Sequence, residues 1–423
     1  MKRREFLSAS AGAAAGMMLL NSKAAFGYEA NSAVRLGLLG CGNRGTEVAD
    51  SFSRNTSAQV VAIGDLFPDN LARGRACFDE LNRKLGRAPI DPKLLFHGSH
   101  AYQQLAESKE IDAIQISTPP FFHVQHLGAA VAAGKHIYVE KPVGIDVRQT
   151  KQALEIAKKV GSKQSVDVGF QCRNASPLAE AARRIRAGAL GRLVTLAGMY
   201  NAPASTEKKR EGEGPDEYRL RNWLWDRALS GDILVEQNIH IIDLANWIIG
   251  AHPLKATATG GRNVLTHFGD CWDHYEVIYT YPNDVRFSFS STQFGGSGLF
   301  EAGLRLFGTE GMATYPYSGP CEIKGAQKWS WAESLKTETG AGKFAANGAF
   351  SDNLADADSQ KEKSFIASII SGPVHNEIAD GVQTALSCML GRMAGLEKRE
   401  VAWEELEAKG ESYELGINME QFA

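Results

Sequence analysis

Three short constellations carry residue types that can do chemistry. The first is Gly40-x-Gly42-x-x-Gly45, with Asn43 and Arg44 between the glycines. Glycines at these offsets allow a tight turn, a close backbone approach to a pyrophosphate, and close helix–strand packing. A helix opening there would place its N-terminus against phosphate charge. Asp65 closes the next apolar run. A carboxylate at that point accepts hydrogen bonds from ribose hydroxyls and repels a 2′-phosphate. The expected cofactor is therefore NAD, with NADP less favoured.

The second constellation is Glu140-Lys141-Pro142, after the apolar run His136 to Val139. A lysine at the carboxyl end of a sheet strand can bind a hydroxyl and hold charge developing on its oxygen. Without such a position, Lys-Pro is an ordinary surface turn. The third is Glu236-x-x-x-His240, with Asp243 three residues on. On one helix these three share a face. Histidine is suited to taking a hydroxyl proton near neutral pH, and a carboxylate one turn away could orient it. A solvated Glu–His pair is the plain alternative. The flanking Ile239, Ile241, Ile242, Leu244, Trp247 and Ile248 argue instead for a largely buried helix.

These residues need elements to position them. Val34 to Leu39, Gln59 to Asp65, Asp112 to Ser117 and His136 to Glu140 read as strands. Helical stretches alternate with them, including Pro68 to Leu85, His123 to Ala133 and Val147 to Val160. Such alternation predicts an α/β fold with a parallel, doubly wound Rossmann sheet. After the strand Ser165 to Gln171 the pattern changes. Runs at Leu193 to Tyr200, Glu276 to Tyr281, Val285 to Thr292 and Leu304 to Phe307 predict an open, largely antiparallel sheet in a C-terminal α/β domain. Two segments read as irregular excursions, Pro203 to Arg221 and Lys328 to Gln360.

The chain has 423 residues, which suits two domains. The expected division is a signal segment at 1–27, an N-terminal arm at 28–33, an NAD-binding Rossmann domain at 34–157, and a substrate and oligomerisation domain at 158–423. A formal net charge of −3 gives no polyanion-binding surface, so no nucleic-acid partner is expected. No apolar run of roughly 18 residues lies beyond the N-terminus, so no membrane anchor is expected. Arg3-Arg4-Glu5-Phe6-Leu7, then the apolar stretch Ala9 to Leu20 and Ala24-Ala25, resembles a twin-arginine export signal. The expected location is periplasmic or otherwise exported. None of the six cysteines forms a C-x-x-C pair, so no metal site is expected. Most of them read as buried small residues.

In order and spacing, the three constellations resemble the glucose–fructose oxidoreductase, inositol dehydrogenase and rhizopine catabolism (Gfo/Idh/MocA) family of NAD(P)-dependent oxidoreductases. The resemblance runs from about Val34 to Trp403. It also includes Ser117-Thr118-Pro119 with His123, Gly169-Phe170-Gln171-x-Arg173, Ser230-Gly231-Asp232, and Gly308-Thr309-Glu310-Gly311. It implies that Lys141 and His240 flank the reacting carbon of a sugar or polyol over the nicotinamide. Thr118, Pro119, His123 and Glu140 would lie with the cofactor, and Arg173 near cofactor or substrate. An open sheet face commonly pairs in this family, which implies a homo-oligomer. The chain departs from the family in having Glu236 where Asp is usual, and Ser230-Gly231-Asp232 where glycines are usual. That puts the substrate in doubt more than the fold.

Reversible hydride transfer fits these residues, with His240 as base, Lys141 as electrostatic partner and Glu236 beside them. Export from the cytoplasm favours a tightly held cofactor that is regenerated in place. A redox-neutral, NAD-dependent glycoside-cleaving enzyme is the alternative. A non-catalytic sugar-binding protein of the same fold is a third reading, disfavoured by intact Lys141 and His240.

Overall fold

A computed structural model describes residues 33–295, 300–332 and 352–423 of the chain. The expected signal segment, and all but the last residue of the arm, lie outside these residues. So does most of the second excursion. The first six strands are β1 (Arg35–Leu39), β2 (Gln59–Asp65), β3 (Leu95–His97), β4 (Ala113–Ile116), β5 (His136–Val139) and β6 (Val166–Val168). They form one parallel sheet in the order β3-β2-β1-β4-β5-β6. Both faces are covered, so these strands are nearly continuous buried apolar runs rather than alternating ones. The covering helices are α1 (Asn43–Asn55), α2 (Pro68–Lys84), α3 (Ala101–Glu107), α4 (His123–Ala132) and α5 (Val147–Ala157). Helix α1 buries Gly45, Val48, Ala49 and Phe52, an i, i+3, i+4, i+7 stripe. The strand order reverses between β1 and β4, which opens a crevice at their carboxyl ends. Strand β6 is hydrogen-bonded to β5, so the sheet extends past the boundary expected at residue 157.

Helix α6 (Ser176–Arg186) leads into a second sheet of nine strands. Its strands are β7 (Leu193–Pro203), β8 (Lys255–Gly261), β9 (His274–Thr280), β10 (Arg286–Gly295), β11 (Glu301–Gly308), β12 (Gly311–Pro316), β13 (Glu322–Gly325), β14 (Trp329–Ser330) and β15 (Val401–Ala402). All pairings are antiparallel except β7 with β10. The parallel and the largely antiparallel sheets predicted from the sequence are therefore both present. Strands β3, β8 and β12–β15 were not anticipated; they are short, or carry glycine and threonine rather than a strong apolar alternation.

The first excursion ends in helix α7 (Pro215–Arg221). Then come α8 (Arg227–Ser230), α9 (Ile233–Glu236) and α10 (Ile239–Ile249). Helix α10 crosses the inner face of the sheet. A Cβ on Gly198 of β7 would lie 2.8–3.0 Å from Phe287, Leu304 and Ile241, so only glycine lets helix and sheet approach this closely. Helices α11 (Ala357–Ile370), α12 (Ile378–Glu397) and α13 (Trp403–Lys409) complete the domain. Helix α11 returns to the Rossmann domain, where Phe365 packs edge-on against Phe52 and Tyr138. Among the described residues no helix is long and apolar enough to cross a membrane. Five of the six cysteines are buried, Cys77 is exposed, and none is joined to another in a disulfide.

Candidate active site

The glycine loop follows β1 and opens α1. Gly40 has φ +97°, and a Cβ there would stand 2.5 Å from the carbonyl oxygen of Ser117 after β4. A Cβ on Gly45 would stand 2.0 Å from the Gly40 oxygen. These two glycines are filled by the chain's own backbone. Gly42 differs: among the described residues nothing lies within 4 Å of its Cβ direction. The N-terminus of α1 also has no side-chain cap, which leaves first-turn N–H groups of Asn43 and Arg44 facing that opening. An open space lined by free N–H groups at a helix N-terminus fits a pyrophosphate.

Asp65 closes β2 beside this loop and is buried. Its Oδ2 accepts from the Cys41 N–H at 2.7 Å, and its Oδ1 from the Phe67 N–H at 2.8 Å and from Asn70 Nδ2 at 3.3 Å. Burial pushes this carboxyl above its ordinary value, and the backbone donors oppose that shift. The carboxylate thus fixes the loop geometry.

On the other side of the crevice, Lys141 Nζ donates to Glu236 Oε1 at 2.7 Å and to the Glu236 carbonyl oxygen at 2.6 Å. Both side chains are 11% exposed. This corrects the expected Glu236–His240 pairing: the carboxylate is held by the lysine. The single helix expected from Ile233 to Ile249 is also broken, into α9 and α10 at Gln237 and Asn238. The N–H groups of both residues reach the Ile233 oxygen, at 3.0 Å each. The apolar pattern continues through the break, so periodicity could not show it.

His240 lies in the first turn of α10, and its Nδ1 has no partner among the described residues. Burial pushes the imidazole well below its ordinary value, and Lys141 and Arg44 push it further. It is therefore neutral near pH 7, the form that accepts a proton. Gln171 Oε1 and both side-chain polar atoms of Asn238 are likewise buried without a partner among the described residues. Unpaired buried polar atoms are uncommon in folded proteins, and Asn238 directly precedes the helix that carries the candidate base.

The other expected site residues hold the framework. Arg44 donates to Glu140 Oε1 at 2.9 Å and to both oxygens of Asp358 at 2.8 Å. The guanidinium and Glu140 thus tie the glycine loop to the lysine turn and to α11. Buried His123 sets its ring nitrogens 2.9 Å from the Pro142 oxygen and 2.7 Å from the Thr118 oxygen; burial favours the neutral ring, whose single N–H donates to one of these two acceptors. It therefore joins the Thr118-Pro119 turn to the Lys141-Pro142 turn, and neither ring nitrogen is left for a cofactor. Thr118 Oγ1 meets His126 Nδ1 at 3.1 Å. Arg173 forms a two-pronged contact with Asp243, at 2.8 and 2.5 Å, and lies 3.4 Å from Asp380. Asp243 is therefore taken by Arg173.

Sequence reading missed Arg392. This fully buried guanidinium on α12 donates to the oxygens of Ile145 and Gly231 and pairs with Glu411 at 2.7 Å. It pins the loop after Lys141-Pro142 to the Ser230-Gly231-Asp232 loop. Nothing local announces a residue whose partners are so distant in sequence.

Residues 34–168 match the oxidoreductase family with an NAD-binding Rossmann fold, and residues 178–314 match the Gfo/Idh/MocA C-terminal domain. The chain is 25% identical over 349 residues to inositol 2-dehydrogenase of Rhizobium meliloti, covering 80% of this chain and 89% of that protein. It is 27% identical over 216 residues to a glycosyl hydrolase family 109 protein of Solibacter usitatus. That match covers 51% of this chain and spans only 48% of the relative. Its fold is similar to that of a levoglucosan dehydrogenase solved with NADH and levoglucosan. The TM-score is 0.67 at 19% identity, covering 87% of this chain and 99% of the other.

Proposed function

This chain belongs to the Gfo/Idh/MocA family of NAD-binding oxidoreductases acting on sugars and polyols, and on that premise we propose that it oxidises a hydroxyl of a sugar, polyol or glycoside. The observation that carries the reading is the convergence of Lys141, Glu236 and neutral, unpartnered His240 across the crevice from the glycine loop. NAD is the favoured cofactor over NADP, because the Asp65 carboxylate disfavours a 2′-phosphate. When bound, NAD supplies the acceptor for the two electrons and hydrogen leaving the substrate C–H. His240 takes the hydroxyl proton, and the Lys141 ammonium stabilises negative charge on that oxygen. Glu236 holds the ammonium in place.

The family 109 relative favours a second reading, redox-neutral glycoside cleavage. Transient oxidation beside the C2–H would allow elimination of the aglycone, addition of water, and return of the electrons. Incubation with NAD and panels of sugars, polyols and aryl glycosides tests both readings. Net NADH formation identifies a dehydrogenase. Aglycone release without net NADH identifies cleavage. Oxidation of one sugar balanced by reduction of a second, without net NADH, also identifies an oxidoreductase that recycles its cofactor. No change in any member of the panels overturns both readings.

Export through a twin-arginine signal at 1–27 is part of the same proposal, supported by Arg3-Arg4 before Phe6-Leu7. A homo-oligomer is supported by the exposed Ile278 and Phe294 on the outer face of the second sheet.

A further inference from the structure

Three points lie along the carboxyl rim of the parallel sheet, the rim at which such sheets bind their ligands. They are Asp65 at the end of β2, Gly98 after β3, and Phe122 beyond Thr118-Pro119 after β4. Residues 411–423 run along this rim. The Ser99 N–H donates to the Phe422 oxygen at 2.9 Å. Gly98, at φ +90°, lies so close that a Cβ would stand 2.6 Å from that same oxygen. The Phe422 ring meets Phe67 edge-on with 6.0 Å between centroids. On Phe67 lies also the Arg221 guanidinium, 3.7 Å from the ring centroid. Leu415, Ile417 and Met419 pack against the cluster that contains Phe67 and Phe122.

Both domains fasten this stretch. Tyr413 N–H donates to Asp146 at 2.7 Å, and Arg148 donates to the Tyr413 oxygen at 2.7 Å. Arg219 of α7 donates to the Leu415 oxygen at 3.1 Å, and Gln421 donates to Asp216 at 2.7 Å. Helix α7 is in turn held to the Rossmann domain through Arg221 and Asp69 at 2.9 Å. Phe67 links the stretch to the nucleotide site directly. Its ring contacts Phe422, while its N–H donates to the Asp65 carboxylate at 2.8 Å.

We propose that residues 411–423 form the outer wall of the adenosine subsite, with Phe422 holding Phe67 and thereby Asp65 in the position that receives the adenine ribose. The proposal rests on the nucleotide reading of the glycine loop and adds to it a binding element drawn from the far end of the sequence. An aromatic and aliphatic wall suits the purine, whose faces are apolar and stack on rings. It would not serve the nicotinamide half, which lies toward Lys141 on the other side of the switch point.

The test is Phe422→Ala in the full chain, with Phe422→Leu as a milder variant should the first fail to fold. Thermal melts establish that each variant is folded. Titrations of cofactor-stripped protein with adenosine monophosphate, nicotinamide mononucleotide and NAD then read the two halves separately. Affinity for the adenosine fragment and for NAD is expected to fall about tenfold in Phe422→Ala and less in Phe422→Leu. Affinity for the nicotinamide fragment should stay within twofold. Unchanged adenosine-fragment affinity in a folded variant overturns the proposal. So does tighter binding, which would make the stretch an occupant of the subsite. Equal loss of both fragments overturns it as well. If the unsubstituted protein neither carries NAD(H) as purified nor binds NAD or the adenosine fragment after the cofactor is removed, the nucleotide reading itself fails, and the proposal with it.

Discussion

At the scale of single residues, the site is arranged so that charges are paired before substrate arrives, while the base is not. Lys141 and Glu236 neutralise each other, Arg173 and Asp243 do the same, and Arg44 is shared by Glu140 and Asp358. His240 is left neutral and unpartnered at Nδ1. Its value is depressed below 6.5, so the native ring refuses a proton that the unfolded chain accepts below that pH. Two outcomes follow. The base form persists as pH falls through 6.5, so kcat/KM should show no histidine limb between pH 6 and 8. His240→Ala should lower turnover by roughly a hundredfold or more with NAD still bound, the usual contribution of a positioned base. Steady-state rates with NAD titration check both, and activity within a few-fold of the original would move the base role to another group. Asp65→Ala should weaken NAD and narrow its advantage over NADP, because ribose hydrogen bonds and repulsion of a 2′-phosphate are lost together. Equal NAD affinity in both proteins would remove Asp65 from the ribose.

At the scale of elements, what could be read from the sequence is what short-range spacing encodes. The glycine loop, Asp65 and Lys141 each sit at the end of a strand that its own apolar run announces, and the parallel, doubly wound character of the sheet follows from βαβ alternation. The pairings across the site were not legible. Arg44 with Asp358, Lys141 with Glu236, and Arg392 with Ile145 and Gly231 join residues far apart in sequence. The break between α9 and α10 was hidden because apolar residues continue through it.

Two predictions belong to the helices that carry the glycine loop. Gly45→Ala places a Cβ 2.0 Å from the Gly40 oxygen, and backbone cannot yield as a side-chain tip can. It should cost about 3 kcal/mol or more and abolish NAD binding, as read by denaturant midpoint and titration. Glu362 of α11 is fully buried against α1, where Ser51 donates to it at 2.7 Å. Burial pushes its carboxyl up to about 8 from an ordinary 4.5. Between those values the native state keeps a proton that the unfolded chain has released, so stability falls as pH rises through that window. Glu362→Gln keeps the shape without the titration. Its melting temperature should exceed that of the original protein at pH 8, by on the order of 3 kcal/mol of stability, with a smaller difference at pH 5. A pH-independent difference would refute that account of α11.

At the scale of the whole molecule, the second domain encloses the nucleotide site as well as facing it. Helix α11 grips α1 through Arg44–Asp358 and Ser51–Glu362. Helix α7, through Arg221, and the loop residue Arg210 hold Asp69 at the start of α2. Residues 411–423 lie along the carboxyl rim of the sheet. On the proposed reading a cofactor would lie beneath these elements and leave only when several such contacts opened together, so slow dissociation is expected. Enclosure also excludes water and strengthens the electrostatic contacts around Lys141. The proposed export route gives slow release a purpose, since a protein exported already folded carries its cofactor into a compartment that would not resupply it. The mature protein is therefore expected to emerge from gel filtration with close to one NAD(H) per chain, detected by acid release and absorbance. It should keep that cofactor through repeated dilution while still converting substrate, because each turnover returns the electrons to a second sugar or to the product itself. An apo-protein that binds added NAD weakly and reversibly would show that the enclosing elements open freely, and would leave an ordinary dehydrogenase dependent on free NAD.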